Sequence, residues 1–159
     1  MFGENVVPLL GPQDIGSTAT ATPFVSMKNV LHTVFKVFFG SITATSADQA
    51  ITVTVEAATA AASGSEVAIA FKYRLSGAVG ANTWGTLTSA TASGVSIATT
   101  DDNKILAIDI DPAALDGALA DASHVRVVIT PDAGGTATLV AAEAVLEPAY
   151  PQTTHKSAT

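Results

Sequence analysis

The sequence predicts an all-β fold: an antiparallel β-sandwich of about eight short strands. Three observations carry this reading. Apolar and polar residues alternate with period two in several runs. Turn-forming clusters of Gly, Pro, Ser and Asn separate those runs at intervals of roughly 10 to 20 residues. No helical pattern long enough for a βαβ crossover stands between them.

Taken in order, residues 1–24 place Pro8, Pro12 and Pro23 among Gly3, Gly11 and Gly16. That composition is too broken for a long element and reads as an extended N-terminal arm. Such an arm gains order by lying on another surface, which makes Val6, Val7, Leu9 and Leu10 candidate interface residues. The sandwich domain is expected over 25–148, followed by a C-terminal tail over 149–159 that frays beyond Pro148 and Pro151. Tyr150, beside that tail, is a further candidate contact.

The stretch "MKNVLHTVFKVFFG" (27–40) fits two patterns. Met27, Val30, Leu31, Val34, Phe35 and Phe38 fall on the stripe of an amphipathic helix. Its Val, Phe and Thr content, however, suits a pleated surface better than a helix. Read as a strand, it turns Leu31, Phe35, Val37 and Phe39 to the sandwich core. Val30, Val34 and Phe38 then need a second cover, either the chain's own arm or a neighbouring subunit.

"AITVTVEA" (50–57) alternates Ile51, Val53 and Val55 against Thr52, Thr54 and Glu56, and "EVAIAFKYRL" (66–75) alternates as one strand from Val67 to Leu75. "TWGTL" and "GVSIATT" give shorter runs around the turn-like "TSATAS". "NKILAIDIDP" sets Leu106, Ile108 and Ile110 against Ile105, Ala107, Asp109 and Asp111, and Pro112 stops it. "AALDGALADAS" can form a helical turn ended by Gly117. "HVRVVIT" sets Val125, Val127 and Ile129 on one face against His124, Arg126, Val128 and Thr130 on the other, and "TATLVAAEAVLEP" is the last strand.

Composition narrows the function classes. The 159 residues suffice for one domain with a real core. Only 13% are charged, and 14 acidic residues against 7 basic ones give a net charge of -7. The basic residues are scattered, which argues against nucleic acid as a partner, because binding it requires clustered Lys and Arg. No apolar stretch is long enough to cross a bilayer as a helix. "MFGENVVPLLGPQDIG" lacks the basic start and continuous apolar core of a signal peptide. No membrane partner is therefore expected and, with no cysteine in the chain, no disulfide.

Little in the sequence points to catalysis. His32, His124 and His155 are far apart, with no companion at metal-ligand spacing. Asp101, Asp102, Asp109 and Asp111 are close in sequence but do not make a calcium-loop pattern. Glycine-rich turns lack the Walker lysine, and no serine sits in a nucleophile elbow. The expectation is therefore no enzyme, no cofactor and no metal. Trp84 is a candidate aromatic anchor for an interface.

The run "FVSMKNVLHTVFKVFFGSITATSADQAITVTVEAATAAASGSEVAIAFKYRLSG", with "NKILAIDIDPAALDG", "HVRVVIT" and "TLVAAEAVLEPAYPQ", resembles small virion proteins of tailed bacteriophages. The likeness spans residues 23–152 and lies in the layout of strands and turns. Val25 to Asn29 match the opening of that layout and Tyr150 to Gln152 its exit. The resemblance implies a jelly-roll-like sandwich that acts as a capsid decoration or cement protein. Such a protein is a homo-oligomer, dimer or trimer, that bridges neighbouring major capsid subunits on the virion exterior after assembly in the host cytoplasm. Two alternatives stand beside it. A head-fibre, tail or receptor-binding module would show a grooved, aromatic outer surface. A carbohydrate-active β-sandwich enzyme would gather Asp101, Asp102, Asp109 and Asp111 in a cleft.

Overall fold

The structure, a computed structural model, describes residues 5–45, 50–62, 64, 66–135 and 137–150. Its strands are β1 (Asn5–Asp14), β2 (Thr20–Ala21), β3 (Val25–Ser26), β4 (Val30–Thr43), β5 (Ile51–Ala58), β6 (Val67–Ile69), β7 (Phe71–Leu75), β8 (Thr88–Ala90), β9 (Val95–Ile97), β10 (Ile105–Ile110), β11 (His124–Pro131) and β12 (Ala137–Pro148). They form two antiparallel sheets. Sheet one runs β1-β12-β4-β10-β7-β8; sheet two runs β2-β11-β5-β6, with β3 also on β11 and β9 also on β5.

The order of the strands gives the topology. Let β2 with β3 count as the second segment of the chain and β6 with β7 as the fifth, leaving β8 and β9 as an excursion. Sheet one then takes the first, eighth, third and sixth segments, and sheet two the second, seventh, fourth and fifth. This is a jelly roll, two Greek keys folded face to face. The expected all-β antiparallel sandwich is therefore present, in more strands than the eight anticipated and of uneven length, from two residues in β2 to 14 in β4.

Period-two alternation builds the core. From sheet one, Phe35, Val37, Leu106, Ile108 and Leu146 point inward; from sheet two come Ile51, Val53, Val55, Val125 and Ile129, all fully buried. The 27–40 stretch is a strand from Val30 on, paired with both β10 and β12, and Phe35, Val37 and Phe39 face the core as expected.

Two facings differ from the sequence expectation. Leu31 is 59% exposed, whereas Val30 is buried in the core. A register shift between Glu147 and Pro148, opposite Val30–His32, slips the alternation by one residue and exchanges their sides. A second shift, between Thr138 and Val140, brings Ile42 inward beyond Gly40. There Leu139 lies across the glycine: a Cβ on Gly40 would come within 2.7 Å of Leu139 Cδ2.

The N-terminal segment also departs from expectation. Residues 5–14 are the edge strand of sheet one, paired with β12, and not a free arm. Because β1 lies beside β12 in the same sheet, it is not the second cover proposed for Val34 and Phe38. Prolines suit such an edge, where a missing N–H can face solvent, and register shifts after Pro8 and Leu10 absorb the irregularity. Leu9 is consequently a core residue, and Val7 and Leu10 pack against the core. Asp14 fastens the end of β1: its Oδ1 accepts the backbone N–H groups of Thr138 and Gly16, both at 2.8 Å. Those bonds, Thr138 first, hold its carboxyl below the ordinary 3.8.

"EVAIAFKYRL" is not one strand. The chain leaves sheet two after Ile69 and joins sheet one at Phe71, so Ala70 is a corner. The return crossing, from β8 to β9, turns at Thr91–Gly94 within the "TSATAS" region. Gly94 has φ +85°, and a Cβ there would collide with the Val53 carbonyl oxygen. Residues 151–159 of the expected tail, with Gln152 and His155, lie outside the described residues.

Phe35→Ala should cost about 3–5 kcal/mol in denaturant unfolding, while Phe38→Ala, one face away, should cost clearly less. Equal losses would mean the facing is wrong. Asp14 supplies a pH test. A depressed carboxylate pKa contributes stability that is present above 3.8 and lost as pH falls through the folded value. Asp14→Ala should melt lower than the parent at neutral pH, with the gap closing in acid; a gap independent of pH contradicts this role.

Candidate functional site

The outward face of sheet one holds the side chains left over once the core is filled. Its register runs in rows across the strands. One row reads Val6, Val145, Val34, Asp109, Lys72 and Ser89, from β1 to β8. The next reads Pro8, Glu143, Lys36, Ala107 and Arg74. A third holds Ala141, Phe38 and Ile105. Val34, Phe38, Val145 and Ile105 are half-buried by their neighbours within the sheet, and Val6 and Leu139 are exposed.

Apolar side chains thus occupy the β1-β12-β4 half of the first row and most of the third. Between them lies one ion pair, Lys36 Nζ donating to Glu143 Oε1 at 3.3 Å. Toward β7 the face becomes charged: Lys72 and Arg74 stand exposed side by side on the outer side of that strand.

The outward face of sheet two is chemically different. Thr52, Thr54, Glu56, Arg126 and Thr130 lie there, with Val128 between them, in register across β5 and β11. Arg126 Nε donates to Glu56 Oε2 at 2.8 Å, and its Nη2 lies 3.6 Å from Glu66 Oε1. The guanidinium also stacks over the Phe24 ring, 4.6 Å from its centre. This face is polar and its charges satisfy one another.

A groove of about 560 Å³ opens where β4 enters sheet one, β10 leaves it and the chain turns the corner at Ala70. Ile69, Phe71, Ile110 and Leu115 contribute apolar lining, and Leu31 and Leu87 are exposed beside them. The polar lining is His32, Asp109, Lys72 and Asp111. His32 Nε2 lies 2.8 Å from Asp109 Oδ1, with both side chains about two-fifths exposed (39% and 41%).

The four aspartates considered for chemistry are not gathered in one cleft. Asp101 precedes β10 and holds Lys104 Nζ at 2.7 Å, and Asp102 beside it is exposed. Asp109 and Asp111 lie at the far end of the strand, where Asp111 caps the following 3-10 turn by accepting the Ala113 N–H. His124 bonds its neighbour Ser123 at 2.9 Å, and burial pushes its pKa down.

Among the interface candidates, Val6, Val34 and Phe38 come together on the outward face of sheet one. Val30 and Leu9 do not, because both are in the core. Trp84 bridges to Ser76 beyond the β7 edge, 45% exposed. Tyr150 follows Ala149, whose N–H bonds the Asn29 carbonyl, and is 68% exposed. The sequence reading missed Val145, Leu139 and Ile105 on the same face, although their alternation with buried neighbours carried the signal. The His32–Asp109 pair had no local signal, since its members are 77 positions apart.

No family model matches the chain, and neither does any curated protein. One solved structure, that of infectious bursal disease virus Gt strain, aligns with 91% of this chain at 11% identity and a TM-score of 0.25. The aligned part is 42% of that chain, so the present sequence spans less than half its length. A superposition at that score supports no inference about fold or function.

A double-mutant cycle on His32 and Asp109 should give a coupling of about 0.2–1 kcal/mol, as for exposed pairs, weakening with salt. A coupling of several kcal/mol would show that the pair holds the sheet together.

Proposed function

We propose that the protein is a structural component of a virion, decorating and stabilising a phage capsid by bridging neighbouring major capsid subunits. The observation that carries this reading is the outward face of sheet one. Val6, Val145 and Val34 continue one another across three strands, with Phe38 and Ile105 four residues along the ladder, beyond the Lys36–Glu143 pair. A row of apolar side chains on a regular sheet suits a broad contact with another protein better than it suits a small molecule. Two further points support it: the layout of strands resembles that of phage virion proteins, and the jelly roll is an architecture common to capsid domains.

Repetition supplies the rest of the physics. A shell offers many equivalent sites, and a protein that touches two subunits at once gains from effective concentration without needing a large single interface. The net charge of -7 gives packaged nucleic acid no attraction for the chain.

The groove beside His32 and Asp109 favours a second reading, a virion module that binds a receptor or fibre. It predicts binding of a peptide or glycan that Leu87→Asp abolishes, with attachment to the shell unaffected.

The test is to add the purified chain to capsids that lack it. Saturable binding and raised resistance to heat or chelator are expected. Val34→Thr with Phe38→Thr, which keep strand-compatible residues on this half-buried face, should reduce binding about tenfold or more while circular dichroism shows the free protein still folded. Absence of binding by the parent chain sinks the proposal.

A further inference from the structure

The longest run of the chain without an ionisable group lies at one edge of sheet one. From Leu75 to Thr100 the chain contains no Asp, Glu, Lys, Arg or His, although the whole carries -7. This stretch holds the tip of the β7–β8 hairpin, beyond the exposed Lys72 and Arg74 of β7 itself. Its arms are joined by Gly77 N–H to the Thr83 carbonyl at 2.9 Å and Gly85 N–H to the Leu75 carbonyl at 2.8 Å, with Ser76 bridged to Trp84. Residues 78–89 are all exposed, and Val79, Trp84 and Leu87 are 79%, 45% and 40% accessible.

The hairpin also ends sheet one. The opposite edge, β1, is guarded by Pro8, Pro12 and two register shifts, the usual means of discouraging edge contacts. At β8 neither proline nor charge is present. With only three residues in β8, strand-to-strand pairing is limited, so a contact here would be made mainly by side chains.

We infer that the uncharged tip of this hairpin, residues 76–89, is the surface through which one copy of the chain meets another. Two bodies that each carry -7 repel one another, and the approach costs least where neither partner presents an ionisable group. An isologous contact sets the same patch against itself. Val79, Trp84 and Leu87 are suited to that, whereas a strongly charged partner would find no complement there. The inference goes beyond the capsid reading and stands without it: the capsid contact is assigned to the outward face of sheet one, and the self-contact to the hairpin at its edge.

Trp84 is the only tryptophan, so emission excited selectively from tryptophan reports on this surface alone. The full chain should be taken through a concentration series by analytical ultracentrifugation and fluorescence. Mass above the monomer is expected, with a blue shift and reduced acrylamide quenching that follow the same curve. Added salt should tighten association by screening the repulsion. Trp84→Ala and, separately, Leu87→Lys should each weaken it about tenfold or more, with circular dichroism unchanged. A monomer at every concentration would overturn the inference. So would association that leaves Trp84 emission unmoved, that ignores Leu87→Lys, or that salt weakens. Loss of capsid binding by the Val34 and Phe38 variant with self-association intact separates the two contacts.

Discussion

The ladder between β4 and β12 is the constraint on which the rest of the structure depends. It runs from Val30 opposite Pro148 to Thr43 opposite Ala137, and β12 carries β1 on its other side while β4 carries β10. Its register decides which side chains fill the core and which remain outside. With Phe35 opposite Ala144 and Val37 opposite Ala142, a large residue sits beside a small one on the inward side, and the sheet can approach its partner closely. The same register leaves Val34 beside Val145 and Phe38 beside Ala141 on the outward side. The core and the proposed capsid contact are thus two consequences of one pairing.

The lateral sides of the sandwich are finished differently. On one, the chain passes between the sheets at Ala70 and again at the Gly94 turn, tying sheet one to sheet two by covalent crossings. On the other, β1 and the short β2 and β3 end the sheets, and prolines take the place of ladder donors. The hairpin tip that emerges from the crossed side lies outside both sheets' core, so its composition was free to follow surface requirements. The complete lack of ionisable groups there is not dictated by folding, which is why it bears on association.

Much of this was legible in the sequence, and what was not has identifiable causes. β5, β10 and β11 alternate so regularly that their buried faces could be read directly. The 27–40 stretch had to be decided by residue type, because an i, i+3, i+4 stripe and a two-sided strand share positions. Strict alternation turns Leu31 inward, whereas a bulge at Leu31, one extra β4 residue opposite Glu147–Pro148, turns it out, and the local sequence carries no sign of that bulge. The corner at Ala70 was invisible for a related reason: Ile69 and Phe71 both face the core although they belong to different sheets, so the period never falters. Prolines at 8 and 12 suggested a loose arm, whereas an edge strand tolerates them equally well. At the candidate site, Val34 and Phe38 are legible by their position opposite the core residues, and Val145 and Leu139 by the same alternation. Only pairing shows that these four share one face, and the His32–Asp109 groove required the fold.

The chain contains no cysteine, so single cysteines can map the proposed contact without background. The most direct measurement is thiol labelling of Val34→Cys and, as a reference on sheet two, Thr54→Cys, each free and bound to capsids. The account predicts that Val34→Cys reacts in the free protein and is protected on the shell, while Thr54→Cys reacts equally in both. Protection of the sheet-two position, with the sheet-one position still reactive, would contradict it.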